Sequence, residues 1–529
     1  MACLIAAPCS GSGKTLLTLA LTALLRQRGR SVQTFKVGPD YLDPQLLSRV
    51  SGRPCRNLDR LLCGSSWVER SFHWWGRQAD HCLVEGVMGL FDGRGPGDEG
   101  SSAELAAALQ LPVVLVVEAS RQAGSVAALV NGFRHHRSDL TMAGVVLNGV
   151  STARHQALLS DALAAIGMPV LGLLPRHPGL SLPSRHLGLL PAHELHNLEG
   201  TCAEWAALAE RHLDLERLLP LLAPPSSSAS GSPASSTGGD PIRWALGLEG
   251  EAAAPEPVTL AIAADAAFHF RYPEATELLE AMGVELQPWQ PLADAPLPPD
   301  CQGVILPGGY PELHAPELAA ARRSLADLRH AAAAGLPIYA ECGGLLLLGQ
   351  ALEDPQGEAY RMAGLLPFTA RRGALQLGYR QATPSHNGLV ARCGEPVCGH
   401  EFHRWELHPT PTAPSALRAS AALNPSAALC AATGLNAATG PSAAASMSAS
   451  NGVMDGIQQL WQLEGWGCPP RSEGWTTRTL HATWLHLHWA GCSAICRRLH
   501  AAARQTAPFA VAAAAAAAPT PWRPGSAGS

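Results

Sequence analysis

Residues 3–15 read CLIAAPCSGSGKT, a short apolar segment followed by a loop of glycine and serine that ends in lysine and threonine. Apolar residues at helical spacing come next and Gly29 ends the run, which predicts a helix from about Lys14 to Arg28. A strand, a glycine-rich loop and a helix in this order are what a phosphate-binding loop requires. Pro8 stands where the full pattern has a glycine, so a turn without a ligand is the alternative interpretation.

The residue types of this loop indicate their chemistry. Glycines allow backbone N–H groups to surround phosphate oxygens, Lys14 can reach the terminal phosphates, and Thr15 can hold magnesium. Two acids end apolar segments nearby, Asp40 in FKVGPDY and Glu85 in CLVEG. Strand ends of a parallel sheet meet at the ligand-binding edge, which favours metal or substrate binding over solvated acids.

Apolar segments alternate with helical or turn stretches in both halves of the chain. Before residue 223 they are CLIAAP, CLVEG, PVVLVVEAS, AGVVLNGV and PVLGLLP, which predicts an α/β domain with a parallel, doubly wound sheet. After it, VTLAIAADAA, GVILPGG and LPIYAECGG predict a second α/β domain. Low-complexity composition divides these units. We expect domains at 1–222 and 257–500, a flexible linker at 223–256, an insertion at about 409–451 and a tail at 501–529.

Composition excludes several classes of function. The chain has 529 residues, with 38 Lys and Arg against 43 Asp and Glu, so no broad basic surface is available for nucleic acid. The 14 cysteines are scattered irregularly, as reduced thiols are in a cytosolic protein. The first residues have no basic segment typical of a signal peptide, and no apolar run is long enough to span a bilayer. We therefore expect a cytoplasmic protein without a membrane partner.

One cysteine has the sequence context of a nucleophile. Residues 338–344, IYAECGG, place Cys342 between an apolar strand and an apolar helix, at a turn that exposes the sulfur near backbone N–H groups. A buried structural cysteine is the alternative. A base is also needed, and histidines occur in GHEFH at 399–403 and in ATWLHLHW at 482–489. Spacing alone neither chooses among these histidines nor excludes metal ligation.

Eight segments together resemble a known family. In chain order they are SGSGKT, KVGPDYLDP, RNLD, VEGVMGLFDG, PGGYPE, AECGG, GHEFH and WLHLHW. With them the chain resembles the cobyrinate a,c-diamide synthases of cobalamin biosynthesis, including the members that use hydrogenobyrinate. The resemblance implies an N-terminal P-loop amidoligase domain similar to dethiobiotin synthetase and a C-terminal class I glutamine amidotransferase domain.

The resemblance also implies a role for individual residues. Cys342 corresponds to the glutaminase nucleophile and His486 to its base, whereas His488 stands where many class I triads carry glutamate, which leaves the third member open. The remaining roles are ATP binding by Gly11, Ser12, Gly13, Lys14 and Thr15; magnesium binding by Thr15, Asp40 and Glu85; substrate binding by Tyr41, Glu85 and Asp92; and an oxyanion site at the backbone of Gly309 and Gly343.

The implied reaction is the amidation of the a and c acetate carboxylates of cobyrinate or hydrogenobyrinate. ATP activates each carboxylate as an acyl phosphate, and ammonia comes from glutamine hydrolysis. The substrates are thus the corrinoid, ATP and L-glutamine, with Mg²⁺ as cofactor, and a homodimer is compatible with this assignment.

Other functions remain as alternatives. They are an a,c-diamide synthase of nickel sirohydrochlorin, a cobyric acid synthase, a P-loop partitioning or switch ATPase, and an inactive scaffold. The partitioning ATPases carry an extra lysine near the start of the loop, where this chain has Cys9. Retention of Lys14, Glu85, Cys342 and His486 disfavours a scaffold.

Overall fold

A computed structural model describes most of the chain. The described residues are 2–150, 152–176, 197–226, 239–250, 256–410 and 456–510, with the short pieces 184–185, 188–189 and 194. The centre of the predicted linker, nearly all of the predicted insertion and the end of the predicted tail lie outside the described residues.

A seven-stranded sheet forms the centre of the N-terminal half. Its strands are β1 (Cys3–Ala6), β2 (Val32–Val37), β3 (Arg56–Leu58), β4 (His81–Glu85), β5 (Val113–Glu118), β6 (Met142–Val150) and β7 (Val170–Pro175). They lie in the order β3-β2-β4-β1-β5-β6-β7, and all neighbours run parallel. The predicted parallel sheet is confirmed, because strands such as β5 are apolar on both faces and are covered on both sides.

Helices connect and cover these strands. They are α1 (Lys14–Gln27), α2 (Leu42–Ser51), α3 (Arg60–Cys63), α4 (Ser65–Gly76), α5 (Ser102–Leu109), α6 (Ser125–His136), α7 (Ala153–Ala164), α8 (Leu198–His212) and α9 (Leu215–Leu218), followed by a 3-10 turn at Leu219–Leu222. The short strands β8 (Ser184–Arg185) and β9 (Gly188–Leu189) pair with each other. Helix α1 matches its predicted range, and Gly29 has the positive φ of 71° that a chain leaving a helix often needs.

The C-terminal half is built on a mixed eleven-stranded sheet. Its strands are β10 (Val258–Ala263), β11 (Val284–Trp289), β12 (Val304–Leu306), β13 (Ile338–Glu341), β14 (Ala351–Glu353), β15 (Ala359–Arg361), β16 (Phe368–Pro384), β17 (Val397–Pro409), β18 (Gln458–Gly465), β19 (Cys468–Thr476) and β20 (Leu480–Thr483). The order is β11-β10-β12-β13-β20-β19-β18-β16-β14-β15, and β17 pairs with β16. The first five strands in this order are parallel, and the others extend the sheet largely by antiparallel pairs.

The helices of this half correct two predicted boundaries. They are α10 (Pro241–Ala245), α11 (Pro273–Ala281), α12 (Ala315–Ala320), α13 (Arg322–Ala333), α14 (Gly343–Leu348) and α15 (Ala494–Arg504), with 3-10 turns at Pro291–Ala293, Pro311–His314 and Trp489–Gly491. Helix α10 lies in the predicted flexible linker, yet it is packed through buried Ile242. Helix α15 crosses the predicted start of the tail at residue 501, and packed structure continues to buried Phe509.

A buried ion pair joins the two halves. Arg56, at the start of β3, is 4% exposed and donates to Glu277 at 2.6 Å and to Glu274 at 3.4 Å, both on α11. Its guanidinium also lies 3.9 Å from the centre of the Trp75 ring. Burying a cation without partners is costly, so these contacts favour a close approach of the two halves. None of the helices in the described ranges combines the length and the apolar composition needed to cross a bilayer.

His481 on β20 gives a prediction about acid stability. The side chain is fully buried against Tyr339 and Trp461, and burial lowers its pKa from 6.5 to about 3. Since the unfolded chain binds a proton near pH 6.5 and the folded chain does not, the free energy of unfolding should fall as the pH drops from about 6.5 towards 3. One such histidine contributes a slope of up to about 1.4 kcal/mol per pH unit.

The slope can be measured by denaturant unfolding between pH 7 and pH 4.5, a range inside the window set by the shift of His481. We expect His481→Phe to have a smaller slope than the wild type, whatever its absolute stability. His386→Phe is the matched control because His386 is exposed. Equal slopes for all three proteins would contradict the prediction.

Candidate active site

The loop between β1 and α1 is shaped to surround an anion. Gly11 and Gly13 have φ values of 79° and 107°, which other residues rarely adopt. A Cβ atom on Gly13 would lie 2.6 Å from the side-chain nitrogen of Asn148, which itself donates to the carbonyl of Ser12. Lys14 is 8% exposed, and its Nζ donates to the carbonyl of Met88 at 2.5 Å. The loop conformation is therefore held from the side by β6 and by the segment after β4.

A cluster of charges lies directly beside this loop. Lys36 Nζ donates to Glu85 Oε1 at 2.7 Å and to Asp43 Oδ2 at 2.5 Å, and lies 3.7 Å from Asp40 Oδ2. Thr15 Oγ1 also donates to Glu85 Oε1, at 2.7 Å. Lys36 and Glu85 are register partners on β2 and β4, so the parallel sheet brings them together.

The charges of the cluster determine its protonation. Burial raises the pKa of Glu85, and burial together with Asp43 raises the pKa of Asp40 to about 7. Burial also opposes ionisation of Asp43, but Lys36 outweighs this effect and lowers the pKa of that carboxyl. Lys14 has a lowered pKa because it is buried and close to the charge of Lys36. A bound cation or phosphate chain would therefore change the protonation of these carboxyl groups and of Lys14 together.

The oxygen donors of the cluster suit magnesium. Mg²⁺ usually keeps several waters and takes one or two protein carboxylates besides phosphate oxygens. Thr15 Oγ1 and both carboxylates within its reach, Glu85 and Asp43, are hard oxygen ligands. Glu85 Oε2 is buried and has no hydrogen-bond partner among the described residues, so it is available for a further ligand.

Sequence reasoning missed Lys36, Asp43 and Asn148 in this site. Lys36 and Asp43 both lie in the quoted segment KVGPDYLDP, where a lysine inside an apolar strand is the signal that a buried counter-charge exists. Asp40 stays a predicted metal ligand: its Oδ1 accepts from the backbone N–H groups of Leu42 and Asp43, and its Oδ2 lies 3.7 Å from Lys36 Nζ. Asn148 carries no comparable signal.

The two other predicted substrate residues occupy different environments. Asp92 is exposed on the loop after β4, and its Oδ2 accepts from the backbone N–H of Gly89 at 2.7 Å. Tyr41 is instead only 9% exposed. Its ring packs against Phe270 and lies 5.0 Å from the ring of His486. The structure thus places Tyr41 against the C-terminal half, not on an open surface beside the phosphate loop.

Cys342 lies in a sharp turn between β13 and α14. Its φ of 45° and ψ of −104° are strained for a residue with a side chain, and its backbone N–H donates to the carbonyl of Thr483 at 2.8 Å. The residue is 6% exposed, and its sulfur lies 3.9 Å from the carbonyl oxygen of Phe402. The predicted turn at Cys342 is therefore present, with the sulfur at the end of a central parallel strand.

Two glycine backbones approach each other next to this cysteine. A Cβ atom on Gly343 would lie 2.8 Å from the backbone nitrogen of Gly309, and a Cβ on Gly309 would lie 2.0 Å from the carbonyl oxygen of Ala267. Only glycine fits at both positions. The structure therefore brings together the two predicted oxyanion residues.

His486 is the histidine that lies beside Cys342. It is 2% exposed and lies after the end of β20 at Thr483, where its backbone pairs with that of His400 on β17. Burial alone would lower the pKa of His486, but the neighbouring charges of Cys342 and Glu341 raise it to about 10.

The other candidate histidines have different partners. His403 stacks on Trp484 at 3.8 Å and bonds Glu401, a buried carboxylate that also pairs with Arg380 and Arg471. Burial and the charge of His486 lower the pKa of His400 to about 3.

A cavity of about 360 Å³ opens onto Cys342. Its lining includes Gly309, Tyr310, Glu312, Phe402, Arg404 and Trp484. Glu312 is 7% exposed, and burial raises its pKa to about 7. No cationic side chain of the described ranges forms an ion pair with it. A small zwitterion carrying an ammonium group would provide the missing counter-charge.

Comparison with known domain families agrees with the two sites. The nucleotide-binding domain described as CobQ/CobB/MinD/ParA matches residues 3–190, which contain the phosphate loop. The CobB/CobQ-like glutamine amidotransferase domain matches residues 259–431, which contain Cys342. The predicted classes of both domains are confirmed.

Relatives match over most of the chain. A cobyrinate a,c-diamide synthase of Gloeobacter violaceus is 41% identical over 492 residues, covering 92% of this chain and 94% of the relative. One from Synechococcus sp. is 39% identical and covers 93% and 96%. A hydrogenobyrinate a,c-diamide synthase of Brucella anthropi is 42% identical and covers 76% and 88%. The resemblance found in the sequence is confirmed, and the chain belongs to the family of cobyrinate and hydrogenobyrinate a,c-diamide synthases.

Proposed function

We propose that the protein amidates the a and c acetate carboxylates of cobyrinate or hydrogenobyrinate, using ATP and glutamine. The observation that carries this proposal is the contact between its two sites. Tyr41, which follows the acid Asp40 beside the phosphate loop, packs 5.0 Å from His486 of the thiol site. A chemical intermediate made at one site can therefore reach the other over a short distance.

A second cavity lies at this junction. It has a volume of about 440 Å³ and is lined mainly by apolar residues, including Phe270, Leu487 and Trp489, with Tyr41 from the N-terminal half and Glu341 next to the nucleophile. A largely apolar space suits a small neutral molecule such as ammonia, which would be lost or protonated in bulk water. It supports transfer of ammonia from the thiol site towards the phosphate site.

At the thiol site, Cys342 attacks the side-chain amide of glutamine. The carbonyl oxygen becomes negative and accepts hydrogen bonds from the backbone N–H groups of Gly309 and Gly343. His486 gives its proton to the leaving nitrogen, so that ammonia departs and a glutamyl thioester remains. Water then attacks the thioester, and glutamate and the free thiol are released.

At the phosphate site, a carboxylate oxygen of the corrinoid attacks the terminal phosphate of ATP. ADP leaves and an acyl phosphate forms. Ammonia then attacks the acyl carbon, phosphate leaves, and an amide remains. The backbone of residues 11–13 and the charge of Lys14 hold the phosphates, while Lys36 compensates the charge of the acids beside them.

Magnesium, held by Thr15, Glu85 and Asp43, would supply positive charge to the phosphate oxygens. We place Asp92 at the mouth of the site, where its exposed carboxylate can contact the substrate. Tyr41 would contact the substrate only at the edge of the cavity that it lines.

Mass spectrometry of the product tests this function. Cobyrinate and hydrogenobyrinate are incubated separately with the purified protein, ATP, magnesium and glutamine. Two ATP-dependent amidations at the acetates are expected for at least one of these macrocycles. Amidation at other side chains would favour a cobyric acid synthase. Glutamine hydrolysis without amidation of either macrocycle would contradict the proposed substrate, and nickel sirohydrochlorin would then be tested in the same assay.

Two substitutions should separate the two sites. Cys342→Ala should abolish glutamine-dependent amidation but leave amidation with added ammonia near the wild-type rate, because only the nitrogen source is lost. Lys14→Ala should lower amidation with either nitrogen source by about 10²-fold or more, since the phosphates lose their buried cation. A folded Cys342→Ala protein that is inactive with ammonia would contradict the division into two sites.

Glu312 should determine recognition of glutamine. We expect its carboxylate to bind the α-ammonium group, so Glu312→Gln should raise the KM for glutamine by about 10- to 100-fold, the equivalent of one hydrogen bond to a charged group. Amidation with ammonia should be unchanged. Glu317→Gln is the control, because Glu317 lies exposed on the neighbouring helix α12. An unchanged KM in Glu312→Gln would remove this residue from the glutamine site.

A further inference from the structure

The thiol site needs a group that holds its histidine in place. In a nucleophile and histidine pair, a carboxylate on the far side of the imidazole fixes the orientation of the ring and stabilises its protonated form. The position two residues after His486, where class I triads often carry glutamate, is occupied by His488. The orienting group must therefore come from elsewhere in the chain.

His488 is directed away from the thiol site. Its ring lies 4.3 Å from the ring of Tyr272, and its Nε2 lies 3.6 Å from Glu274 Oε2. Glu274 also pairs with Arg56 of the N-terminal half. His488 thus belongs to the contact between the two halves, and it leaves the imidazole of His486 without support from that side.

Glu341 lies beside the Nδ1 atom of His486. Its Oε2 is 3.8 Å from His486 Nδ1, and that nitrogen is buried with no hydrogen-bond partner within the described part of the chain. The other oxygen, Oε1, accepts from the hydroxyl of Tyr339 and, at 3.4 Å, from the backbone N–H of Leu487. Because Oε1 is held at two points, Oε2 is fixed towards the imidazole.

The strained turn explains how adjacent residues can serve one imidazole. Glu341 is the last residue of β13, and Cys342 follows with a φ of 45°. The chain changes direction between them, so the carboxylate and the sulfur both reach His486. Both groups are buried, Glu341 at 7% and Cys342 at 6% exposure. Water therefore screens the electrostatic interactions of Glu341 and Cys342 with His486 only weakly.

We propose that Glu341 is the positioning residue of the glutaminase site, in the place of the missing acid of the class I triad. This inference rests on the proposed function. Glu341 keeps the Nδ1 side of His486 oriented and charged, so that the ring can give a proton to the leaving ammonia. The other titratable groups facing His486 are Cys342, Tyr41 from the N-terminal half and His400 from β17.

The test compares Glu341→Gln, Glu341→Asp and the control Glu274→Gln, in which the partner of His488 is changed. For Glu341→Gln we expect kcat of glutamine hydrolysis to fall by about 10²-fold or more. The alkaline limb of its pH profile should move to lower pH, because His486 loses its proton more readily. Glu341→Asp should recover part of the activity. Ammonia-dependent amidation should be unchanged in Glu341→Gln and Glu341→Asp.

A spectroscopic measurement makes the test independent of turnover. The full-length protein is prepared with isotope-labelled histidine rings, and the His486 signal is assigned by its loss in His486→Gln. We expect this signal to titrate at lower pH in Glu341→Gln than in the wild type, and to be unaffected in Glu274→Gln. This titration is measured without a corrinoid, so its result does not depend on whether the proposed substrate is correct. A failure of the proposed function and a failure of the Glu341 assignment can therefore be told apart.

Three results would overturn the assignment. One is a Glu341→Gln protein with normal kcat and an unmoved alkaline limb. Another is an unmoved His486 titration, which would make Glu341 a structural residue only. The third is a shift of the titration in Glu274→Gln but not in Glu341→Gln, which would assign the positioning role to the pair of His488 and Glu274.

Discussion

The burial of Arg56 between the two halves is the constraint on which the rest depends. A guanidinium that is 4% exposed requires counter-charges, and Glu274 and Glu277 provide them from the other half. The same Glu274 faces His488, so the ion pair extends to the segment that carries His486. Separating the halves would break this ion pair and would remove Tyr41 from His486. The interface and the thiol site are therefore stabilised together.

Both reactive sites use the same property of parallel sheets. The phosphate loop follows β1 and Glu85 ends β4, while Cys342 follows β13 and His486 follows β20. At the carboxyl end of a parallel strand the chain must turn, and backbone N–H groups and side chains are left pointing outwards. Gly13, Gly309 and Gly343 permit the tight approaches that these turns require, and Gly11 has the positive φ of 79° that glycine adopts readily. The chemistry of the two sites differs, but the sheet edges that position them are alike.

The sequence predicted those parts that depend on local pattern. Helix α1, the parallel sheet and the turn at Cys342 follow from apolar spacing and from glycines next to strands. Contacts between distant residues were not predictable in this way. Lys36 meets Glu85 only because β2 and β4 are neighbours, although their order along the chain is interrupted by β3. Helix α10 was missed because its five residues, next to a low-complexity stretch, are ordered by packing against other elements.

The histidines show most clearly why residue type does not determine a role. His400, His481 and His486 are all buried, and burial by itself lowers the pKa of each. Only His486 has two acidic side chains, Cys342 and Glu341, close to its ring, and they raise its pKa to about 10. Desolvation is a property of the position, whereas the sign of the final shift depends on the neighbouring charges. The base is thus selected by the turn that places two acidic groups at one imidazole, and no spacing of histidines along the chain encodes that arrangement.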